Sequence, residues 1–450
     1  MLPIRTRYEY DWQSLFYTPM SLPVDDDDIN MLSSPYPSSV HEWTKAIRRP
    51  TSYRVGNARF HLKPRIVIYA VLFSISILFL LIVFMPKSHG YHCNSEQFAR
   101  SIAKHYNPTY PFTNPSRTSL GTVYQIGLIT DLDTNSKSKE KKSTWFSYYR
   151  LGNLTLSEKK DSVKVKLFQP NVLLSSIAAG DRGMELSELV IFNGKLYTFD
   201  DRTGIIYEIN NNNVLPWVIL NDGDGRTNKG FKCEWATVKD QRLYVGGLGK
   251  EWTTEQGEVV NLNPQWVKSV GPDGDVQHLD WHDKYNALRE KTGTLPPGYI
   301  IHESGVWSDV HKKWFFLPRR ASTETYDEVK DERRATNLLF IVDEDFKNIE
   351  VRQIGKINPT HGFSSFKFIP ATDDNIIVAL KSEEDNGRIA SYLLAFDLNG
   401  NILMPEFKIG DVKYEGIEFV CNFFFSFIIL LVYSFFWIII FILLMLSDIL

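Results

Sequence analysis

Five oxygen-bearing side chains recur at the start of a repeated phrase in the C-terminal part of the chain. Each copy opens with a serine or a glutamate and then runs into an apolar hairpin; the openers are Ser187, Glu234, Glu303, Ser364 and Glu415. Hard cations such as calcium prefer oxygen ligands. If the five openers converge, three carboxylates would neutralise a calcium ion, and each serine would add a hydroxyl or a backbone carbonyl.

The spacing of the openers predicts the elements that must position them. They lie 47, 69, 61 and 51 residues apart in β-rich sequence, a period typical of propeller blades. We therefore predict an all-β fold, a five-bladed β-propeller with a central calcium site. Equivalent positions of successive blades meet at the propeller axis, which would bring the openers together. Six blades, or two packed β-sheets with accidentally similar hairpins, are the alternatives.

The ends of the repeat region indicate how the ring closes. The fifth copy, EGIEF from Glu415, stops after one strand. Alternation of apolar and polar residues begins at Gly121, so we expect the strands near 122–150 to complete the last blade. Helical periodicity is weak, and residues 282–293 form the best helical candidate. The predicted propeller domain covers residues 121–419.

The composition is that of a globular protein. The chain has 450 residues, of which 43% are hydrophobic and 23% charged, and a net charge of −3. This balance argues against a nucleic acid partner. Cys93, Cys233 and Cys421 cannot form a disulfide framework, so stability must come from packing, to which a metal ion could add. Cys93 is either a free thiol or an intermolecular bridge, and Cys233 is expected to be a small buried apolar residue.

A first hydrophobic segment, residues 66–85, carries no charge and is long enough to span a bilayer. Basic residues crowd its N-terminal side between Arg48 and Arg65. The positive-inside rule therefore places residues 1–65 in the cytosol, as a disordered leader. We predict a type II transmembrane anchor, followed by a luminal stalk over residues 86–120.

A second hydrophobic segment, residues 420–446, contains no charged residue. Its hydropathy predicts a second transmembrane helix. The alternative is a gene-model artefact, such as translation of a retained intron. A GPI signal fits poorly because no polar spacer precedes the apolar run.

Several longer motifs resemble one known family over roughly residues 118–419. The motifs are RGMELSELV, DDRTG, PWVILNDGDG, VGGLGKEWT, GFSSFKFIP, VALKSEE and YEGIEF. They are similar to the calcium-activated nucleotidases, which include a membrane-bound nucleoside diphosphatase of the Golgi and endoplasmic reticulum and the secreted salivary apyrases of blood-feeding insects. The resemblance implies a five-bladed propeller with Ca²⁺ in its central tunnel, bound by the five openers. It also implies hydrolysis of nucleoside di- and triphosphates.

Nucleotide hydrolysis also needs residues that grip phosphates and orient a water molecule. Arginines offset phosphate charge, and carboxylates hold the metal or the water. The candidates for catalysis are Asp131, Asp133, Asp201 with its neighbour Asp200, and Arg319; those for substrate binding are Arg202, Trp252 and Arg320. Each aspartate could instead cap a turn, and Trp252 could pack between blades rather than stack on a base.

The sequence is compatible with two functions. The first is calcium-dependent hydrolysis of UDP, GDP and, less well, ADP in the secretory pathway, in support of glycosylation. The second is a membrane-tethered propeller that binds a partner and uses calcium only structurally. The motifs favour the enzyme. The predicted anchor favours the Golgi or endoplasmic reticulum membrane, and Asn153-Leu154-Thr155 is an N-glycosylation acceptor. The sequence does not distinguish a monomer from a homodimer, or an anchored form from a shed one.

Overall fold

The computed structural model describes residues 51–55, 58–62, 106–112, 114–254 and 257–420. The chain divides into two units, residues 1–90 and 91–450. In the first unit, β1 (Thr51–Val55) and β2 (Ala58–Leu62) form an antiparallel hairpin. The predicted anchor at 66–85 lies outside the described residues, as do the tail beyond Val420, Cys93 and Cys421. Among the described residues, no helix is long and apolar enough to cross a membrane.

The described part of the second unit contains five antiparallel sheets of four or five strands, numbered here as blades 1–5 by the order of their inner strands. The N-terminal strands β3 (Ser116–Thr118), β4 (Gly121–Thr130), β5 (Trp145–Leu156) and β6 (Val163–Ser175) belong to blade 5. Blade 1 consists of β7 (Leu186–Phe192), β8 (Lys195–Asp200), β9 (Ile205–Asn210) and β10 (Asn213–Ile219). Blade 2 consists of β11 (Trp235–Lys239), β12 (Arg242–Gly246), β15 (Trp266–Val270) and β16 (Val276–Asp280).

The remaining blades follow the same order from the centre outward. Blade 3 consists of β18 (Gly305–Ser308), β19 (Lys313–Phe316), β21 (Leu338–Asp343) and β22 (Ile349–Gln353). Blade 4 consists of β23 (His361–Phe368), β24 (Ile376–Asp385), β25 (Arg388–Asp397) and β26 (Ile402–Gly410). The inner strand of blade 5 is β27 (Tyr414–Phe419), which pairs with β4. The C-terminal strand therefore completes a blade that the N-terminal strands began, as the sequence predicted.

The hydrophobic core is divided among the five interfaces between neighbouring blades. Each of the five buried apolar clusters combines residues from two successive blades. Leu128 packs in the same cluster as Val378, between blades 5 and 4, and Ile129 in the same cluster as Leu189, between blades 5 and 1. Each inner strand also contacts the next, and β27 contacts β7. The five-bladed ring is closed, and the two-sheet alternative is wrong.

Loops between the blades carry a few additional elements. Helix α1 (His282–Thr292) ends at Gly293, whose φ of 69° terminates it; this is the helix that the sequence indicated. The sequence did not predict the two-stranded ribbons β13 (Trp252–Thr253) with β14 (Val259–Asn261) and β17 (Tyr299–Ile301) with β20 (Arg320–Ser322), or the single turn α2 (Glu328–Asp331).

Residues 106–112, within the predicted stalk, lie against the propeller. The ring of Tyr106 packs 5.6 Å from that of Phe192 at the end of β7. The Asn107 amide donates a hydrogen bond to Asn193 Oδ1 at 2.8 Å. The Tyr110 hydroxyl donates to Glu418 Oε1 at 3.0 Å. These contacts lie at the ends of β7 and β27 opposite to those where the repeat openers stand.

Candidate active site and metal centre

The repeat openers stand where the inner strands begin, and three of them coincide with β-bulges. The pairing register shifts between Leu186 and Leu189, between Phe363 and Ser365, and between Tyr414 and Gly416. Ser187, Ser364 and Glu415 lie inside these shifts. A bulge leaves one residue unpaired and re-aims its side chain. In blades 1, 4 and 5 a β-bulge therefore leaves the opener outside the regular pairing of the inner strand with its neighbour.

The other two openers lie one and two residues before their inner strands. Glu234 comes just before β11, and its amide donates to the carbonyl of Gly246 at 2.8 Å. Glu303 comes two residues before β18. Since all five openers lie at the same end of the ring, their side chains or carbonyls can approach a common axial point.

The serine openers link neighbouring blades through their hydroxyls. Ser187 Oγ donates to the carbonyl of Cys233 at 2.5 Å, the residue that precedes opener Glu234. Ser364 Oγ lies 3.4 Å from the carbonyl of Tyr414, which precedes opener Glu415. Because the hydroxyls are engaged in this way, the backbone carbonyls of the two serines are the better candidates for a cation.

Glu234 and Glu415 are buried, Glu303 is partly buried, and all three glutamate openers have basic neighbours. Arg319 Nη1 lies 2.5 Å from Glu303 Oε2 and 3.4 Å from Glu415 Oε1, so one guanidinium bridges blades 3 and 5. Lys232 Nζ lies 2.7 Å from Glu234 Oε1. Burial nevertheless raises the pKa of Glu234 to about 8, against the attraction of Lys232. Burial also raises the pKa of Glu415 well above its ordinary value.

The Arg319-Arg320 pair enters this region from blade 3. Arg319 is 5% exposed; it also donates to Ser382 Oγ at 2.7 Å and to Glu384 Oε2 at 2.5 Å. Arg320 is 2% exposed, its Nη1 finds no acceptor among the described residues, and its Nε lies 3.9 Å from Asp331. Arg319 is thus placed to orient the glutamate openers, and its predicted catalytic role stays a prediction, as does substrate binding by Arg320.

The two predicted aspartates after β4 are joined by Lys413. Its Nζ lies 2.9 Å from Asp131 Oδ2 and 2.8 Å from Asp133 Oδ2. Burial raises the pKa of Asp131 to about 7 despite this lysine. Asp133 is less enclosed: burial alone would raise its pKa, but Lys413 and other cations hold it below the ordinary value.

The DDRTG segment separates a structural aspartate from one that faces the site. Asp200 accepts hydrogen bonds from the amides of Met184 at 2.9 Å and Arg202 at 3.0 Å, so it fixes a turn. Asp201 is ion-paired with Lys232. Arg202 Nε donates to Glu185 Oε2 at 2.8 Å. The turn therefore directs both Asp201 and Arg202 toward the openers of blades 1 and 2.

Trp252 lies apart, in the ribbon strand β13. Its ring is half-buried and covered by Lys229, whose Nζ is 4.0 Å from the ring centroid. Its indole Nε1 is enclosed without a hydrogen-bond acceptor among the described residues. The proposed stacking on a base stays a prediction.

Several charged residues of the site were not singled out from the sequence. Together with the predicted residues they form the carboxylate network, which is linked by ion pairs. Its eight carboxylates are Asp131, Asp133, Glu185, Asp201, Glu234, Glu303, Glu384 and Glu415, and its five basic side chains are Arg182, Arg202, Lys232, Arg319 and Lys413.

Three of the residues that were not singled out share one position in the sequence, two residues before an opener. Lys232 and Lys413 each stand two residues before a glutamate opener, in KCE and KYE, and Glu185 stands two residues before Ser187. Residues two apart in a strand share a face, so this position places a charge beside each of three openers. Glu384 and Arg182 have no such signal because they reach the network from other strands and loops.

The donor set fits a hard divalent cation. Its ligand atoms are oxygens, as calcium prefers, and the network carries more carboxylates than basic groups. Asp131, Glu185 and Asp201 each offer a carboxylate oxygen within 4.8 Å of the others.

Known proteins are similar in sequence to most of the second unit. The family model described as Apyrase matches residues 132–420. Soluble calcium-activated nucleotidase 1 of Mus musculus is 58% identical over 336 residues, which cover 74% of this chain and 83% of that protein. An apyrase of Cimex lectularius is 43% identical and covers 82% of this chain and all of its own length. Apyrase apy-1 of Caenorhabditis elegans is 49% identical over 66% of this chain and 84% of that protein.

Proposed function

This chain belongs to the apyrase family, and on that premise we propose that it is a calcium-dependent enzyme that hydrolyses nucleotides at the carboxylate network. The observation that supports this most is the placement of Glu234, Glu303 and Glu415 at equivalent ends of inner strands, with Arg319 joining two of them. Three carboxylates from three different blades would hold Ca²⁺ on the propeller axis, completed by oxygens of Ser187 and Ser364.

When bound, calcium would draw negative charge from the phosphate oxygens as the transition state forms. The chain's own residues would compensate further phosphate charge and position the acidic side chains. Arg202, with a third of its side chain exposed, can offset the charge of a phosphate group, while Arg319 and Lys413 hold the glutamate and aspartate side chains in place. Electrostatic positioning of this kind is the main need of phosphoryl transfer.

Asp133 is placed to orient the attacking water. Its side chain is 38% exposed, whereas that of Asp131 is buried. The water oxygen would attack the terminal phosphorus, and the bond from that phosphorus to the bridging oxygen would break. The bridging oxygen leaves with the electron pair on the nucleoside monophosphate, and the water proton passes to solvent by way of Asp133. Because phosphoryl transfer needs little help from a base, the lowered pKa of Asp133 is no obstacle.

We further propose that the substrates are UDP and GDP, less readily ADP, and nucleoside triphosphates, and that the enzyme works in the secretory pathway. The hydrophobic segment 66–85 with its basic N-terminal flank supports a type II anchor in the Golgi or endoplasmic reticulum membrane, with the propeller in the lumen. There, removal of the diphosphates that glycosyltransferases release would support glycosylation. Asn153, in β5 and partly exposed, is an acceptor for a glycan in that compartment.

The test is inorganic phosphate release from UDP, GDP and ADP by the full-length protein, measured with calcium and again after chelation. Turnover that needs calcium is expected. A protein that binds calcium and gains thermal stability but releases no phosphate from any of the three would contradict the enzyme and support the binding module instead.

A further inference from the structure

A second group of oxygen ligands lies beside the repeat openers. Asp131 follows β4, Glu185 precedes β7 and Asp201 follows β8. One carboxylate oxygen of each comes within 4.8 Å of the others, and all three residues are buried. None of them is an opener, so the group shares no residue with the proposed calcium shell, which it adjoins through Lys232 and Lys413.

One carboxylate oxygen of Asp201 is left without a hydrogen-bond donor in the part of the chain that the structure describes. Asp201 is 4% exposed, and its Oδ1 accepts no hydrogen bond from any described residue. The closest basic atom to it in an ion pair is Arg202 Nε at 3.7 Å, whereas its Oδ2 is taken by Lys232. A buried anionic oxygen without a donor is costly, and a cation at this point would remove the cost.

The net charge of the carboxylate network also favours a cation at this point. Its eight carboxylates exceed its five basic side chains by three when all are ionised. One calcium ion at the openers removes two of these charges, and the phosphate chain of a substrate brings negative charge of its own, about −1.5 to −2 for a terminal phosphate alone. With all of these groups ionised, a second divalent cation that enters with the phosphate chain would offset the excess negative charge.

We propose that Asp131, Glu185 and Asp201 form a second divalent-cation site, which receives the cation carried by the phosphate chain of the nucleotide. The substrate is then the cation–nucleotide complex, an inference that rests on the proposed function. Carboxylates on one side and phosphate oxygens on the other are the usual ligands of such a cation. Arg182 Nη2 at 2.5 Å and Arg202 Nε at 2.8 Å hold Glu185 Oε2 in place at the edge of this site.

The experiment counts calcium on the full-length protein by equilibrium dialysis with radioactive calcium. It is run alone and with the non-hydrolysable α,β-methylene analogue of UDP, in the wild type and in Asp201→Asn. Asp181→Asn is the matched control, because Asp181 has a side chain 74% exposed and pairs only with Lys137 among the described ion pairs. Circular dichroism and thermal melting verify that each variant is folded.

We expect one bound calcium without the analogue and two with it, in the wild type and in Asp181→Asn. In Asp201→Asn the first calcium should stay, and analogue binding in calcium should weaken at least about 10-fold, because loss of even an outer-shell partner of a metal ligand costs about 10- to 100-fold. A wild-type count of one in the presence of bound analogue, or unchanged binding of analogue and second calcium in a folded Asp201→Asn, would overturn the proposal. Absence of the first calcium together with absence of hydrolysis would instead count against the proposed function.

Discussion

The position of the Arg319 side chain depends on the glycine at position 362, which has no side chain. A Cβ on Gly362 would lie 2.5 Å from Arg319 Cγ and 2.5 Å from Arg320 Nη1. Contacts that short cannot be accommodated without movement of the arginines, and Arg319 is the group that joins Glu303 to Glu415. The glycine two residues before opener Ser364 therefore contributes to the site by the space it leaves.

Gly362→Ala is expected to weaken calcium binding and to lower the free energy of unfolding by about 1–3 kcal/mol, as overpacking does. Calcium titration and denaturant unfolding measure the two effects. Gly410→Ala is the control, because its Cβ would approach no atom closer than 3.4 Å. Equal behaviour of the two variants would show that the arginine pair tolerates displacement.

Lys268 is a buried cation outside the carboxylate network. It is 0% exposed, its Nζ donates to the carbonyl of Gly223, and it lies 4.7 Å from the centre of the Phe231 ring. Burial lowers its pKa from 10.5 to about 8. Between about pH 8 and 10.5, Lys268 is therefore protonated in the unfolded chain and largely deprotonated in the folded protein.

The free energy of unfolding of the wild type, relative to Lys268→Met, is expected to rise with pH between about 8 and 10.5. The limiting slope is about 1.4 kcal/mol per pH unit, and the difference should be constant below pH 8, where both states hold the proton. Denaturant unfolding at pH 7, 8, 9 and 10 measures it. A difference that does not change with pH would mean that the amine is effectively solvated.

At the scale of elements, the inner strands repeat one design. Three carry a bulge at the opener in their first half, and two begin one or two residues after a glutamate opener. The period of the openers made the blades and the closure of the ring predictable, because each blade must bury both faces against its neighbours. The strand alternation that begins at Gly121 located β4, the strand of blade 5 that pairs with β27, for the same reason.

Other elements could not be predicted because nothing local determines them. The ribbon of β13 and β14 and that of β17 and β20 are formed by strands of only two or three residues, too short to show an alternation of apolar and polar residues. The contact of Tyr110 with Glu418 joins residues 308 positions apart. Among the site residues, the openers and the aspartates after β4 and β8 had sequence signals, whereas Glu384 enters the network from β24 through its ion pairs with Arg319 and Lys413.

The closing strand β27 should be essential to the stability of the ring. Ile417 is fully buried in the cluster between blades 4 and 5. Ile417→Ala is expected to lower the free energy of unfolding by about 2–5 kcal/mol, through lost burial and the cavity left behind. Val172→Ala in the outer strand β6, at a position 48% exposed, is the control and should change it little. Similar losses in both variants would mean that blade 5 is not closed by β27.

At the scale of the whole molecule, the ring explains why residues far apart in sequence can hold one ion. Glu234, Glu303 and Glu415 come from blades 2, 3 and 5, and closure through β27 brings the last of them back beside the first strands of the chain. The N-terminal segment 106–112 contacts the opposite ends of β7 and β27. Entry of substrate from the end of the openers is consistent with that arrangement.

The central claim is that the glutamate openers bind the calcium on which nucleotide hydrolysis depends. The most direct measurement is the calcium concentration that gives half-maximal phosphate release from UDP, in Glu303→Gln and in the control Glu324→Gln, whose side chain is 68% exposed. We predict that Glu303→Gln raises this concentration at least about 10-fold, while Glu324→Gln leaves it unchanged. A folded Glu303→Gln protein with the calcium requirement of the wild type would contradict the account.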